Sequence, residues 1–157
     1  LASSGAELFL TRGRAGGELL SFLNGMRAEA QTGMRSLVEQ ARRFRSAARV
    51  FLVGDLLDLK PGEALGLLRR GRSLTAIGLL APLEFAPGPM GRVEWWDPEG
   101  GQRLVLDVGA QSAQDYEEAL GKHLDGWREA ALRHRAAFGC WDTRVAFEEV
   151  LRGVLGG

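Results

Sequence analysis

Asp55 is the polar residue with the clearest chemical potential, because it follows Val50-Phe51-Leu52-Val53-Gly54, a run with the profile of a strand buried on both faces of a parallel sheet. Open α/β sheets place ligands at the carboxyl ends of their strands, and a carboxylate there can hold Mg²⁺ through oxygen. Asp58 lies in the same loop, and Glu84 is a third acid that could join them. Metal-assisted hydrolysis or phosphoryl transfer needs such acids, or a placed base, to converge on one edge. The commoner use of Asp in a loop of this kind is turn formation or helix capping, and that reading is favoured for Asp55 and Asp58.

The other candidates have plainer readings. Gly13-Arg14-Ala15-Gly16-Gly17 precedes a helical pattern and could cradle an anion, but it matches neither the Walker spacing nor GxGxxG, so it reads as a loop. His123 falls on the inner stripe of a long helix and His134 follows on the same side, as core or flank histidines. Cys140 reads as a small buried thiol, because nothing near it in sequence would lower its pKa. Trp95 and Trp96 are neighbours on a strand and must point to opposite faces. The outward one is either a partner-contact anchor or a residue covered by the helix layer.

The elements that position these residues follow from periodicity and punctuation. Residues 7–10 read as a strand, residues 18–28 as a helix burying Leu19, Leu20, Leu23 and Met26, and Ser36 as the N-cap of a helix that leads into the strand at 50–53. That strand is expected at the centre of the sheet. Pro61 opens the next helix, Leu65 and Leu68 form its apolar stripe, and residues 74–80 form a parallel partner strand, which completes a βαβ unit. Two strands at 92–96 and 103–108 flank a Pro/Gly turn and read as a hairpin. Ser112 and Asp115 resemble a capping pair for the helix carrying Tyr116, Leu120, Leu124, Trp127 and Ala131. Cys140-Trp141 reads as a last short strand, with Thr143 capping a closing helix.

In this order the motifs resemble the C-terminal two-thirds of the bacterial family termed domain of unknown function fifty-eight, whose members are similar to the von Willebrand factor A fold. The family's strand ending in Ser-Asp looks like Val53-Gly54-Asp55, and its Asp-Pro-x-Glu looks like Ala81-Pro82-Leu83-Glu84 without the first acid. Its hairpin turn resembles Asp97-Pro98-Glu99-Gly100-Gly101, and its helical Tyr and terminal Glu-x-x-Leu resemble Tyr116 and Glu148 to Leu151. The resemblance implies a single α/β domain over residues 1–157, a Rossmann-like, mainly parallel sheet flanked by helices with an added hairpin. It also implies that the fold's first strand and helix lie outside these residues.

Domains of the von Willebrand type hold a divalent ion with Asp-x-Ser-x-Ser, a threonine and an aspartate. The first element is absent from the chain, and the threonine position is similar to Arg35-Ser36. A guanidinium there would occupy the space and charge a cation needs, so the metal site is expected to be degenerate, with Asp55 its one remaining ligand and Arg35 a candidate to pair with it. A magnesium ion would require ligands from an N-terminal segment beyond these residues; no other cofactor is expected. The resemblance implies a non-enzymatic interaction module that works with MoxR-type AAA+ ATPases, with Arg35, Ser36, Asp55, Asp58, Trp95 and Trp96 as contact candidates. The alternative is a Mg-dependent hydrolase or phosphoryl-transfer enzyme centred on Asp55.

Composition narrows the field. Twenty Lys plus Arg balance twenty Asp plus Glu, which argues against nucleic acid as the partner. One cysteine and two histidines exclude an internal disulfide and a zinc-finger spacing. No apolar run approaches the roughly 18 residues of a bilayer span and no signal peptide stands out, so a cytoplasmic setting without membrane contact is expected. Lys60 and Lys122 are the only lysines, an arginine bias that fits a GC-rich or heat-adapted source.

Overall fold

A computed structural model describes residues 15–25, 38, 49–69, 73–86, 88, 91–96 and 102–155. The elements are α1 (Ala15–Gly25), β1 (Arg49–Gly54), α2 (Pro61–Arg69), β2 (Ser73–Leu80), the short α3 (Pro82–Phe85), β3 (Gly91–Trp96), β4 (Arg103–Val108), α4 (Ala110–His134), β5 (Ala137–Asp142) and α5 (Phe147–Leu155). The expected strand at 7–10, the cap at Ser36 and the 97–101 turn lie outside the described residues.

The chain is mixed α/β, with a parallel sheet in the order β1-β2-β5 and a separate antiparallel pair, β3-β4. β1 and β2 run in register from Arg49↔Ser73 to Gly54↔Gly78, and β2 and β5 from Thr75↔Ala137 to Leu80↔Asp142. The expected central place of β1 is corrected: among the described residues β2 has a neighbour on each side and β1 lies at the edge. The expectation that β1 is buried on both faces is corrected as well. Nearly every residue of β2 is buried, whereas Phe51 and Val53 on one face of β1 are 48% and 50% exposed.

On the other face, α2 and α4 cover the sheet. Leu52, Leu74 and Ala76 meet Leu65 and Leu68 of α2 and Trp127, Ala130 and Ala131 of α4 in one apolar cluster. Burial of side chains such as Leu65 and Leu68 contributes about 1.5–3 kcal/mol each. Trp127 is fully buried and stacks on Phe138 of β5 with ring centroids 5.6 Å apart. On the opposite face α5 covers the β2–β5 side, where its Val150 and Val154 pack with Ile77.

Two helix starts differ from expectation. α1 begins at Ala15, inside the glycine run read as a loop, and Leu20, expected inward, is 61% exposed. α4 begins at Ala110, so Ser112 stands at its third residue rather than its cap, where the hydroxyl accepts from the Gly109 N–H at 2.9 Å. Ser112 thus serves the same helix end from inside. At the other end Arg135 adopts a left-handed conformation (φ 48°), and the Ala136 N–H donates to Ala131 O at 2.9 Å, which stops α4 and turns the chain into β5. No helix among the described residues is long and apolar enough to cross a membrane.

Candidate functional site

Parallel pairing brings the carboxyl ends of β1, β2 and β5 to one edge, delivering Asp55, Ala81 and Asp142 there. Asp55 is exposed, and its Oδ1 accepts the Leu57 N–H at 3.3 Å. This is the turn-forming use of an Asp carboxylate. Between them Leu56 holds φ 62°, a left-handed geometry that costs a non-glycine residue roughly 1–2 kcal/mol. Its side chain is buried in the main core, and that anchorage holds the loop in place.

Asp58 is exposed and borders a shallow cleft of about 100 Å³ with Lys60, Glu63 and Val38. Ligand pockets are typically about 300–1,000 Å³, so this cleft suits a few waters rather than a substrate. Glu84 lies on the short α3 and is also locally engaged. Its carboxylate accepts the Ala81 N–H at the start of α3, and its carbonyl accepts the Tyr116 hydroxyl at 2.6 Å. Burial, and then the Glu84 charge, push the Tyr116 phenol above its usual pKa. Glu84 and Tyr116, singled out in separate motifs, are therefore brought together, tying α3 to the start of α4.

Among the described residues no three His, Cys, Asp or Glu side chains are placed to hold a metal. Asp55 therefore has no ligand set among those residues. Arg35 and Ser36, and with them the Arg35–Asp55 pairing, lie outside the described residues.

The strongest polar arrangement at this edge is one that motif reading missed. Arg144 forks onto Asp142, donating from Nε to Oδ1 and Oδ2 at 3.0 and 3.1 Å and from NH2 to Oδ2 at 2.6 Å, while its backbone N–H adds a bond at 2.8 Å. These side-chain bonds first, then the backbone one, hold the Asp142 carboxyl below its ordinary pKa. Thr143 does not cap α5: it lies in the preceding turn and its N–H donates to Leu80 O at 2.9 Å. An Asp followed two residues later by Arg at a strand end was the available signal.

Both histidines lie on the inner side of α4. His123 Nε2 sits 3.0 Å from Leu56 O, and His134 packs beside Gly66 of α2. Cys140 is half-buried beside Gly78; desolvation raises its thiol pKa, which Arg128 counters and Glu84 reinforces. A thiol so placed is a poor nucleophile.

The hairpin is the other candidate surface. Register places Val93 opposite Leu106, Trp95 opposite Leu104 and Gly91 opposite Val108, so Val93, Trp95, Leu104, Leu106 and Val108 share one face. The other face carries Arg92 opposite Asp107, Trp96 opposite Arg103, and the Glu94–Arg103 ion pair at 3.1 Å. The tryptophans do point to opposite faces, and both are exposed, at 45% and 66%. Leu104 and Leu106 are exposed with them, so no helix among the described residues covers the apolar face.

Comparison with protein-family models, with curated proteins and with solved structures finds no match to this chain.

Proposed function

We propose that the chain is a non-enzymatic protein-interaction module of the von Willebrand factor A type, related to the domain of unknown function fifty-eight family, and that its partner is a MoxR-type AAA+ ATPase. The observation that carries this reading is the hairpin, whose face of Val93, Trp95, Leu104, Leu106 and Val108 offers exposed anchors at Trp95, Leu104 and Leu106, while its reverse side mixes Arg92, Glu94, Arg103 and Asp107 with the exposed Trp96 and Val105. Such anchors supply most of the energy of protein contacts. The βαβ unit, whose first strand leads into the exposed Asp55, and the meeting of Glu84 with Tyr116 support the family resemblance. The carboxyl edge around Asp55 and Asp58, together with Arg35 and Ser36, forms a second contact area in this proposal, and the cation site of the family is degenerate. The Asp142–Arg144 pair gives that edge a fixed charge pattern without a metal.

The test is to mix the purified chain with a MoxR-type ATPase and follow complex formation by size and ATP turnover by phosphate release. Association, or a change in turnover, supports the reading; an ATPase that neither binds the chain nor responds to it refutes the partner.

A further inference from the structure

The imidazole of His123 stands between two groups that it cannot serve at once. Its Nε2 lies 3.0 Å from the carbonyl oxygen of Leu56 and 3.1 Å from the indole Nε1 of Trp127. A carbonyl only accepts and an indole N–H only donates. A bare Nε2 accepts from the Trp127 N–H and offers the Leu56 oxygen no donor. A protonated Nε2 donates to Leu56 and leaves the Trp127 N–H without that acceptor. Water cannot easily replace either bond, because Trp127 is fully buried and Leu56 nearly so.

The two partners lose unequally. Leu56 O keeps a long bond from the Leu59 N–H at 3.4 Å when His123 withdraws, whereas the buried Trp127 N–H has His123 as its acceptor. The neutral ring is therefore best placed with its proton on Nδ1 and Nε2 accepting from Trp127. Gaining a second proton reverses this, since both nitrogens of the cation are donors. The affected carbonyl belongs to the left-handed Leu56, directly after Asp55 and before the Leu57 N–H that the Asp55 carboxylate holds.

We propose that His123 is a proton-operated switch on the strand-end loop: the neutral ring holds Trp127 and leaves the Leu56 carbonyl without a donor from α4, and the imidazolium ties that carbonyl to α4. The charged groups on the loop, α2 and α4 include Asp55, Asp58, Lys60, Glu63, Lys122, Asp125, Arg128 and Glu129, all exposed. β5 brings Asp142, which Arg144 already holds. Solvent screens the exposed groups, so the two hydrogen bonds of the ring itself change most on protonation. The switch goes beyond the partner contact proposed above and is tested on the chain alone, so the two stand or fall separately.

The experiment is an NMR titration of the 157-residue chain from about pH 8 to about pH 5. It follows the His123 ring nitrogens, the Trp127 indole N–H and the Leu57 amide. As His123 gains its proton, the indole proton moves upfield and its solvent exchange quickens roughly tenfold, the factor for losing a hydrogen bond of ordinary strength. The Leu57 amide moves with the same midpoint. His123→Gln, whose amide can accept from Trp127 and donate to Leu56 together, abolishes both movements, while His134→Gln preserves them. Indole and amide signals that ignore the His123 midpoint, or that titrate unchanged in His123→Gln, overturn the proposal.

Discussion

Replacing Gly139 by alanine tests how α5 is seated on the sheet. The Trp141 indole folds back over Gly139, two residues earlier on the same face of β5, and a Cβ at Gly139 would lie 2.0 Å from Cη2 and 2.4 Å from Cζ3 of that ring. Carbon contacts settle near 3.5–4.0 Å, so the indole would have to retreat by roughly 1.5 Å. It has no such room, because on its other side a Cβ at Gly153 of α5 would already be 2.9 Å from Cζ2. Overpacking of this kind costs about 1–3 kcal/mol, and removing a flexible glycine from a strand returns about 0.5–1 kcal/mol. Gly139→Ala should therefore destabilise the chain by up to about 2.5 kcal/mol in urea unfolding with an unchanged m-value. In a Trp141→Ala background the collision is gone, and the same substitution should stabilise by about 0.5–1 kcal/mol. A Gly139→Ala penalty of equal size with and without the indole would refute the packing argument, because the coupling between the two sites would then be zero.

Three further outcomes follow from the site. Tyr116→Phe removes the bond to Glu84 O and should cost about 0.5–1.5 kcal/mol in the same assay. Because the Tyr116 phenol is raised in the folded chain, its contribution is complete below the unfolded value of 10.0 and fades as pH rises through the folded value, which a spectrophotometric titration of wild type against the variant reads. Asp142 runs the other way: its carboxyl is lowered by Arg144, so the stabilisation is present above the unfolded value of 3.8 and is lost as pH falls through the folded one. The stability gap between wild type and Arg144→Gln should then be seen at neutral pH and close in acid. Cys140, with its raised and half-buried thiol, should alkylate more slowly in the native chain than in urea at the same pH.

Much of the fold is legible in the residues themselves. Pro61, the Leu65/Leu68 stripe and the apolar run of β2 define the βαβ unit, and the alternation around the 97–101 turn defines the hairpin. Local pattern does not reveal neighbours, and this is why β1 reads as an interior strand: Phe51 and Val53 suit a buried face whether or not anything covers it. β5 extends three residues before Cys140 because Ala137, Phe138 and Gly139 pair with β2; Ala and Gly give no strand signal of their own. The start of α4 was hidden for a related reason, since Gly109 has no side chain to announce a cap.

At the site, sequence order places Asp55 at a strand end but not the use its carboxylate finds in the Leu57 turn. The meeting of Glu84 with Tyr116 joins α3 to α4 across the two strands of the hairpin, and the His123–Leu56 contact joins residues on α4 and the β1–α2 loop. Contacts of that range come from packing, which no local spacing encodes.

The central claim is that the apolar face of the hairpin docks a partner, and calorimetric titration of a MoxR-type ATPase with the chain and with a Trp95→Asp/Leu104→Asp variant tests it most directly. Both positions are exposed, so the variant should keep its fold, as judged by an unchanged circular dichroism spectrum. Losing two central anchors should weaken binding by at least about 2 kcal/mol, roughly thirtyfold in Kd. Equal affinity for the two proteins, or no heat of binding with the wild-type chain, would contradict it.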